Sequence, residues 1–313
     1  MDSETTRKQN SLIIGTRASK LALAQTNKII STLKKSYPEI HFQLKQISTT
    51  GDKHKTADLS KLGRGSFVKE IEKSLLSGVI DIAIHSAKDL TSHTPQGLHI
   101  AAFTKREDPR DIQINKWGLP FDKLPPNAII GTSSTRRASM LLSKRPDLKI
   151  KPIRGNIETR ILKAKNNDYD CIILAAAGLI RLNIESQITE YLPLEIFVPE
   201  VGQGSLAIQT RENDSYSRKI ISVLNHLESA ICVTSERAFL QIIGESCTYP
   251  VTAYTTVTNN MLEINAIALS TDGTKKISFT QKYDSKDPVK AGAEMGNKIL
   301  EKFRLLEDTN TKK

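Results

Sequence analysis

The stretch DIAIHSAKDL, residues 81 to 90, sets groups that can do chemistry directly after an apolar run. Ile80 to Ile84 read as a buried strand, and His85, Ser86, Lys88 and Asp89 follow at its tip. Two readings fit. Strands commonly end in polar turns, where a Lys-Asp pair is solvated. Alternatively the pair stands in a cleft and does chemistry there. A hydrolase triad of His85, Ser86 and Asp89 is a weak match, because neighbours along a strand end rarely face one another and no GxSxG elbow is present.

Arginine supplies a second set of candidates. Arg17, Arg136, Arg137, Arg154, Arg160 and Arg181 all fall near predicted strand ends or helix starts. Free backbone N–H groups and the helix dipole make a helix start attractive to anions, and Ser19, Ser133 and Ser134 add hydroxyl donors there. IIGTRASKLAL (13–23) and IIGTSSTRRASMLL (129–142) share IIGT, then Arg-Ala-Ser, then a helix, with three extra residues in the second copy. Strand–turn–helix units converge in type, so the echo alone does not establish a repeat. A true repeat would mean two similar lobes enclosing an anion-binding cleft. Of the three cysteines, Cys171 reads as part of a core strand and Cys232 as part of a helix. Cys247, in GESCTYPV, lies in a loop between a long helix and the first strand of a third unit. Loop cysteines are more often inert than reactive, but a domain junction sets this one apart.

The elements that must hold these groups alternate. SLIIGT is a strand, residues 18 to 36 an amphipathic helix, and IHFQLKQI a strand; a long polar loop, 50 to 66, precedes the helix FVKEIEKSLLSG. After the charged link KREDPRD the pattern restarts with three further strand-and-helix units. Such alternation implies parallel α/β sheets. The end differs: VTAYTTV, MLEINAIALS and KKISFTQKY suggest a small antiparallel sheet, closed by a helix over 286 to 306. The expected domains are a first lobe, 1–104 plus 199–223, holding Asp89 and the loop 50–66; a second, arginine-rich lobe, 105–198; and a third domain, 224–313, carrying Cys247.

Composition narrows the partners. The chain of 313 residues has a formal net charge of +11, which favours nucleic acid, a membrane surface or a polycarboxylate. Aromatics are only 5%, too few for broad base-stacking platforms, and the arginines are spread over element ends rather than along one helix. No apolar run approaches the roughly 20 residues of a membrane span. The polar start MDSETTRKQN has no signal-peptide core, and the cysteines and six histidines lack disulfide or metal-ligand spacing. A cytoplasmic protein without a metal is expected. Two other classes stay open at this level: a non-enzymatic anion-binding protein on the same two lobes, and a nucleic-acid binder.

Taken in order, GTRASKLALAQ, FVKEIEKSLL, DIAIHSAKDL, KREDPRD, GTSSTRRASML, IRGNIETRILK, LAAAGLIRL, VPEVGQGSLAIQTR and SERAFL resemble the motifs of the porphobilinogen deaminases, also called hydroxymethylbilane synthases. The resemblance runs from about residue 12 to beyond residue 250; past residue 255 it is one of pattern only. It implies an α/β fold: two periplasmic-binding-protein-like lobes with mixed, mainly parallel sheets, and a small C-terminal α+β domain with an antiparallel sheet. It implies a transferase of tetrapyrrole and haem biosynthesis that condenses four porphobilinogen molecules head to tail, releases ammonia and yields hydroxymethylbilane. A dipyrromethane cofactor would be held by a thioether to Cys247, and Asp89 would be the catalytic carboxylate.

Matched by motif position, Lys88, Ser133, Ser134, Arg136, Arg137 and Arg154 would bind the cofactor, and Arg17, Ser19, Ser86, Arg160 and Arg181 the substrate. Each pyrrole of such a chain carries an acetate and a propionate, which guanidinium forks bind bidentately. The partner would be porphobilinogen alone, with the chain a monomer that uses neither nucleic acid nor membrane. The chain departs from the family pattern at several positions. Glu245-Ser246 precede Cys247 where Gly-Gly is usual, and Thr248-Tyr249-Pro250 follow it. Ala87 stands in place of methionine, no proline follows Leu90, and Arg64 and Ser66 occupy loop positions where Lys and Leu are usual.

Overall fold

The computed structural model describes residues 10–49, 65, 67–166, 168–244 and 250–308. Cys247 and nearly all of the loop 50–66 therefore lie outside the described residues. In chain order the elements are β1 (Ser11–Arg17), α1 (Lys20–Ser36), β2 (His41–Ile47), α2 (Lys69–Leu76), β3 (Ile82–Ser86), β4 (Leu98–Phe103), β5 (Asp111–Asn115), β6 (Ile129–Gly131), α3 (Thr135–Lys144), β7 (Lys149–Lys151), α4 (Ile157–Lys165), β8 (Cys171–Ala175), α5 (Ala176–Arg181) and β9 (Glu190–Tyr191). Then follow β10 (Leu206–Arg211), α6 (Ser215–Ile221), α7 (Leu227–Ile243), β11 (Val251–Thr258), β12 (Met261–Leu269), β13 (Lys276–Asp284) and α8 (Pro288–Asp308). The chain divides into two compact units, Met1–Lys105 with Leu206–Leu227, and Arg106–Ser205 with Glu228–Lys313.

The first unit is built on a five-stranded sheet of order β2-β1-β3-β10-β4. β1 runs parallel to β2 and β3, while β10 is antiparallel to β3 and β4. Both faces are covered, which explains the apolar runs. Leu12 and Ile14 of β1 pack with Ile29, Ile30 and Leu33 of α1, and Ile13 turns to the other face with Ile71 and Leu75 of α2. Ser19 caps α1, its Oγ accepting from the Ala22 N–H at 3.3 Å.

The second unit holds a second five-stranded sheet, β7-β6-β8-β5-β9, again with one strand, β5, antiparallel to both neighbours. The IIGT echo gains a structural meaning here. Each copy forms the second strand of its sheet, between two parallel partners, and each runs into a helix with a serine N-cap. Side chains crowd the glycine of each: a Cβ on Gly15 would press on the Ile80 side chain, and one on Gly131 would stand 2.8 Å from Tyr169 Cδ1.

The same unit contains the expected antiparallel sheet, β11-β12-β13. Phe239 and Ile243 of α7 and Met295 and Ile299 of α8 pack on Ala253, Leu262 and Ile264 of that sheet. The tip of its β12–β13 hairpin lies on α3: Ser139 Oγ donates to the Thr271 carbonyl at 3.0 Å, and a Cβ on Gly273 would come 2.5 Å from the Ser139 carbonyl oxygen. The mixed sheets and the small antiparallel sheet match the α/β expectation. Among the described residues, no helix is long and apolar enough to cross a membrane.

Candidate active site

β3 is buried along its length until Ser86, and there the chain enters a 3-10 turn, Ala87–Asp89. This turn is not a solvated tip. Ser86, Lys88 and Asp89 line one pocket with Arg17 and Ser19, which come from the end of the neighbouring β1 and the start of α1. Parallel pairing of β1 with β3 puts both strands' C-terminal ends on the same side. Arg17 Nη1 lies 4.0 Å from Asp89 Oδ2, with the two side chains 24% and 31% exposed. The Arg17 guanidinium also sits 4.0 Å from the centre of the Phe67 ring. Phe67 carries no role in the sequence reading; its one signal is an aromatic residue closing a long polar loop. Five of the expected residues of the first unit thus converge on one pocket.

The second unit sorts its arginines differently. Arg136 is buried and committed to the protein itself: Nη2 pairs with Asp111 at 2.8 Å, Nε donates to Glu200 at 3.3 Å, and Nη1 donates to the Val198 carbonyl at 2.7 Å. Arg137 Nη2 donates to the other Asp111 oxygen at 2.7 Å, and Gln203 donates to that same oxygen at 2.9 Å. Burial alone would raise the Asp111 carboxyl, but the Arg136 and Arg137 guanidiniums hold it well below the usual carboxylate range. Asp111 is therefore a permanent anion serving two cations. Neither it nor Glu200 figures in the sequence reading, where KREDPRD passes as a charged link.

Arg137 keeps one group in reserve, since its buried Nε has no hydrogen-bond partner among the described residues. Close by, burial first and then the charges of Arg137 and Arg154 push Arg160 down to about 10, still cationic at neutral pH. Arg137, Arg154 and Arg160 thus form a cluster of like charges, an arrangement that favours an anion. Ser134 caps α3, accepting from the Arg137 N–H at 3.4 Å. Ser133 is latched to the chain: its hydroxyl donates to the Ile153 carbonyl at 2.8 Å and accepts from the Ile153 N–H at 3.1 Å. Arg181 closes α5 rather than opening a helix, donates to the Gly204 carbonyl, and is pushed down to about 10 by burial.

Cys171 and Cys232 are buried. Burial pushes the Cys171 thiol far up and the Cys232 thiol to about 12, so both remain protonated and unreactive. The described residues contain no group of three or more His, Cys, Asp or Glu side chains placed to hold a metal. A second buried ion pair went unread in the sequence. Arg106 meets Glu236 of α7 with two bonds of 2.8 Å, and Glu236 also accepts from the Gly202 and Thr255 N–H groups.

A family model described as porphobilinogen deaminase, dipyromethane cofactor binding domain, matches residues 12–219, and one described as porphobilinogen deaminase, C-terminal domain, matches residues 230–303. The porphobilinogen deaminase of Chlorobium chlorochromatii is 47% identical over 263 residues, 84% of this chain and 84% of that protein. That of Brevibacillus brevis is 43% identical over 289 residues, covering 92% and 93%. That of Clostridioides difficile is 42% identical over 298 residues, covering 95% and 99%. Among solved structures, the periplasmic aliphatic sulphonate binding protein SsuA from Escherichia coli aligns with a TM-score of 0.41 at 12% identity, over 71% of this chain and 68% of that one.

Proposed function

The chain belongs to the porphobilinogen deaminase family, and from that premise we propose that it joins four porphobilinogen molecules head to tail, with loss of ammonia, on a dipyrromethane attached to Cys247. It is a transferase that polymerises porphobilinogen into hydroxymethylbilane with a dipyrromethane cofactor. In this reading the chain works as a cytoplasmic monomer on a small-molecule substrate, and the finished bilane leaves by hydrolysis.

The observation that carries the reading is the state of Asp89. Its carboxylate lines a pocket and meets Arg17 only at 4.0 Å, whereas the Asp111 carboxylate is buried under two guanidiniums and an amide. Asp111 is spent on structure, while Asp89 is available. As ammonia leaves porphobilinogen, positive charge grows on the methylene carbon and the pyrrole nitrogen. A carboxylate in that place offsets the charge and can hold the pyrrole proton. Lys88 and Arg17 orient the substrate's carboxylates, and Ser19 and Ser86 add hydroxyl donors.

A dipyrromethane bears acetate and propionate groups, and the second unit suits such a group. The orphaned Nε of Arg137 and the repulsion among Arg137, Arg154 and Arg160 are both relieved by bound carboxylates. Arg137 and Arg154, with Ser134, would hold it; Arg160 and Arg181 would receive the arriving unit; Arg136 and Ser133 would support them from behind. When bound, the dipyrromethane supplies the pyrrole carbon to which the first unit is joined. Intact mass of the purified chain is the direct test: a covalent dipyrrole on Cys247 is expected, and a chain of unmodified mass in an active preparation would overturn the attachment.

A further inference from the structure

His85 belongs to the Asp89 pocket, yet the chemistry above does not use it. It lines the pocket with Ser86, Lys88 and Asp89 and is 5% exposed. Side chains alternate along β3, so His85 shares the sheet face of Ala83, which packs against Ile71 and Leu75 of α2. On that face β10 pairs Ala207 with His85 and Gln209 with Ala83. Gln209 is fully buried, and its Nε2 donates to Glu72 Oε1 of α2 at 2.9 Å.

The hydrogen-bond polarity of this chain of groups can be worked out. A carboxylate only accepts, so Glu72 fixes the amide nitrogen of Gln209 on its own side and turns Oε1 away. Among the described residues, Gln209 Oε1 and His85 Nε2 are both buried and neither meets another partner, while the Gln209 side chain is placed to hydrogen-bond the imidazole. An amide oxygen also only accepts. It therefore selects the imidazole tautomer with the proton on Nε2, which leaves the lone pair on Nδ1. Burial pushes the ring down to about 4, with Gln209 offsetting only part of that shift, so the ring is neutral at physiological pH. The charged groups around it are Glu72 behind, and Arg17, Lys88 and Asp89 around the pocket. A third cation beside Arg17 and Lys88 would weaken the field that Asp89 supplies to a developing cation; a neutral ring does not.

We propose that His85 is a neutral hydrogen-bond acceptor of the Asp89 pocket, offering its Nδ1 lone pair to a pyrrole N–H of bound substrate, with Gln209 and Glu72 as the positioning residues that fix its tautomer. This rests on the Asp89 pocket being where the substrate reacts. The division of labour is specific: Asp89 answers charge, and His85 answers direction. An isosteric acceptor can therefore replace the imidazole in part, and an apolar side chain cannot.

The test combines spectroscopy with kinetics on the holoenzyme. Nitrogen-15 NMR of histidine-labelled protein, assigned by the loss of one ring's signals in His85→Asn, should show His85 protonated at Nε2 only, at pH 7 and still at pH 6. A proton on Nδ1, or a doubly protonated ring at pH 6, would overturn the proposal. Gln209→Met should give a mixture of tautomers; an unchanged Nε2–H signal would remove Gln209 and Glu72 from their positioning role. His85→Leu should lower kcat/KM about 10-fold or more, and His85→Asn, whose Oδ1 takes the place of Nδ1, should recover part of that loss. Wild-type kcat/KM in His85→Leu refutes the acceptor role. Asp89→Asn measured alongside separates the failures: if it is crippled while His85→Leu is normal, only His85 is misassigned; if both are normal, the pocket itself is.

Discussion

Arg17 Nη1 stands 4.0 Å from Asp89 Oδ2, at the outer limit of an ion pair. A loose pair of partly exposed groups adds little stability. It does hold the Asp89 carboxylate in place without closing it off from a ligand. Asp89→Asn keeps size and polarity and removes the charge. Turnover should fall by at least ~100-fold, the lower range for an acid–base or electrostatic group, while the thermal midpoint stays near wild type. Protein preloaded with dipyrromethane should be used, so that bilane formation is read apart from cofactor assembly. Near-normal turnover would return the turn to the solvated reading.

Phe67 lies under the Arg17 guanidinium, 4.0 Å from ring centre to Cζ. Phe67→Leu should loosen Arg17 and raise KM by roughly 2- to 5-fold, in line with about 0.5–1 kcal/mol for a partly exposed cation–π contact. Phe67→Tyr should behave as wild type. Equal kinetics in the leucine and tyrosine variants would show that the ring only fills space.

Asp111 and Arg160 should part company when mutated. Asp111→Asn leaves Arg136 and Arg137 buried with half their compensation, and should cost about 3–5 kcal/mol in urea unfolding. Arg160→Gln removes one of several repelling charges and should leave stability within about 0.5 kcal/mol of wild type. Its effect should fall instead on substrate binding, about 10- to 150-fold for one charge-assisted contact. The reverse pattern would make Arg160 the structural member.

Stability should depend on pH through His85. Its folded pKa of about 4 lies below the unfolded value of 6.5. Between these values the unfolded chain takes up a proton that the folded chain refuses. The contribution is thus fully present above pH 6.5 and is lost as pH falls towards 4, a total of about 3 kcal/mol. Asp111, depressed in the fold, adds a further loss only below the unfolded carboxylate value near ~4. Urea midpoints at pH 7, 5.5 and 4.5 should show the His85 component, and His85→Asn should flatten it. Equal slopes for the two proteins would mean that His85 titrates normally.

Cys247→Ala should yield a chain without the dipyrrole mass and without activity, whereas Cys171→Ala and Cys232→Ala should keep both. Peptide mapping that finds the adduct on Cys171 or Cys232 would reassign the attachment.

Where burial follows hydropathy, the fold was legible in the sequence. β1, α1, β2, β4, β8 and the three strands of the last sheet follow from runs and alternations, and Gly78 ends its helix at φ +70° as a glycine should. β5 and β10 were not, because Gln113, Asn115, Gln209 and Thr210 interrupt their apolar pattern while still being buried. Those side chains find partners from distant segments, such as Glu190 for Gln113 and Glu72 for Gln209, which no local window contains. The arginines were legible as a set but not in their division. Whether a guanidinium faces a ligand or an internal carboxylate depends on Asp111, Glu200 and Gln203, brought to Arg136 and Arg137 by the fold.

The placement of β10 bears on how the chain is made. It lies antiparallel between β3 and β4 and, among the described residues, is the one sheet partner of β4. The first unit therefore cannot complete its sheet until Arg211 has left the ribosome. By then the second sheet has had all its strands since Tyr191. The five-stranded sheet begun first is closed after the second one, with the edges of β3 and β4 open throughout the interval. Newly made chains truncated anywhere between Lys105 and Leu206 should expose those edges to pairing with other chains, the point at which this protein is most in need of a chaperone.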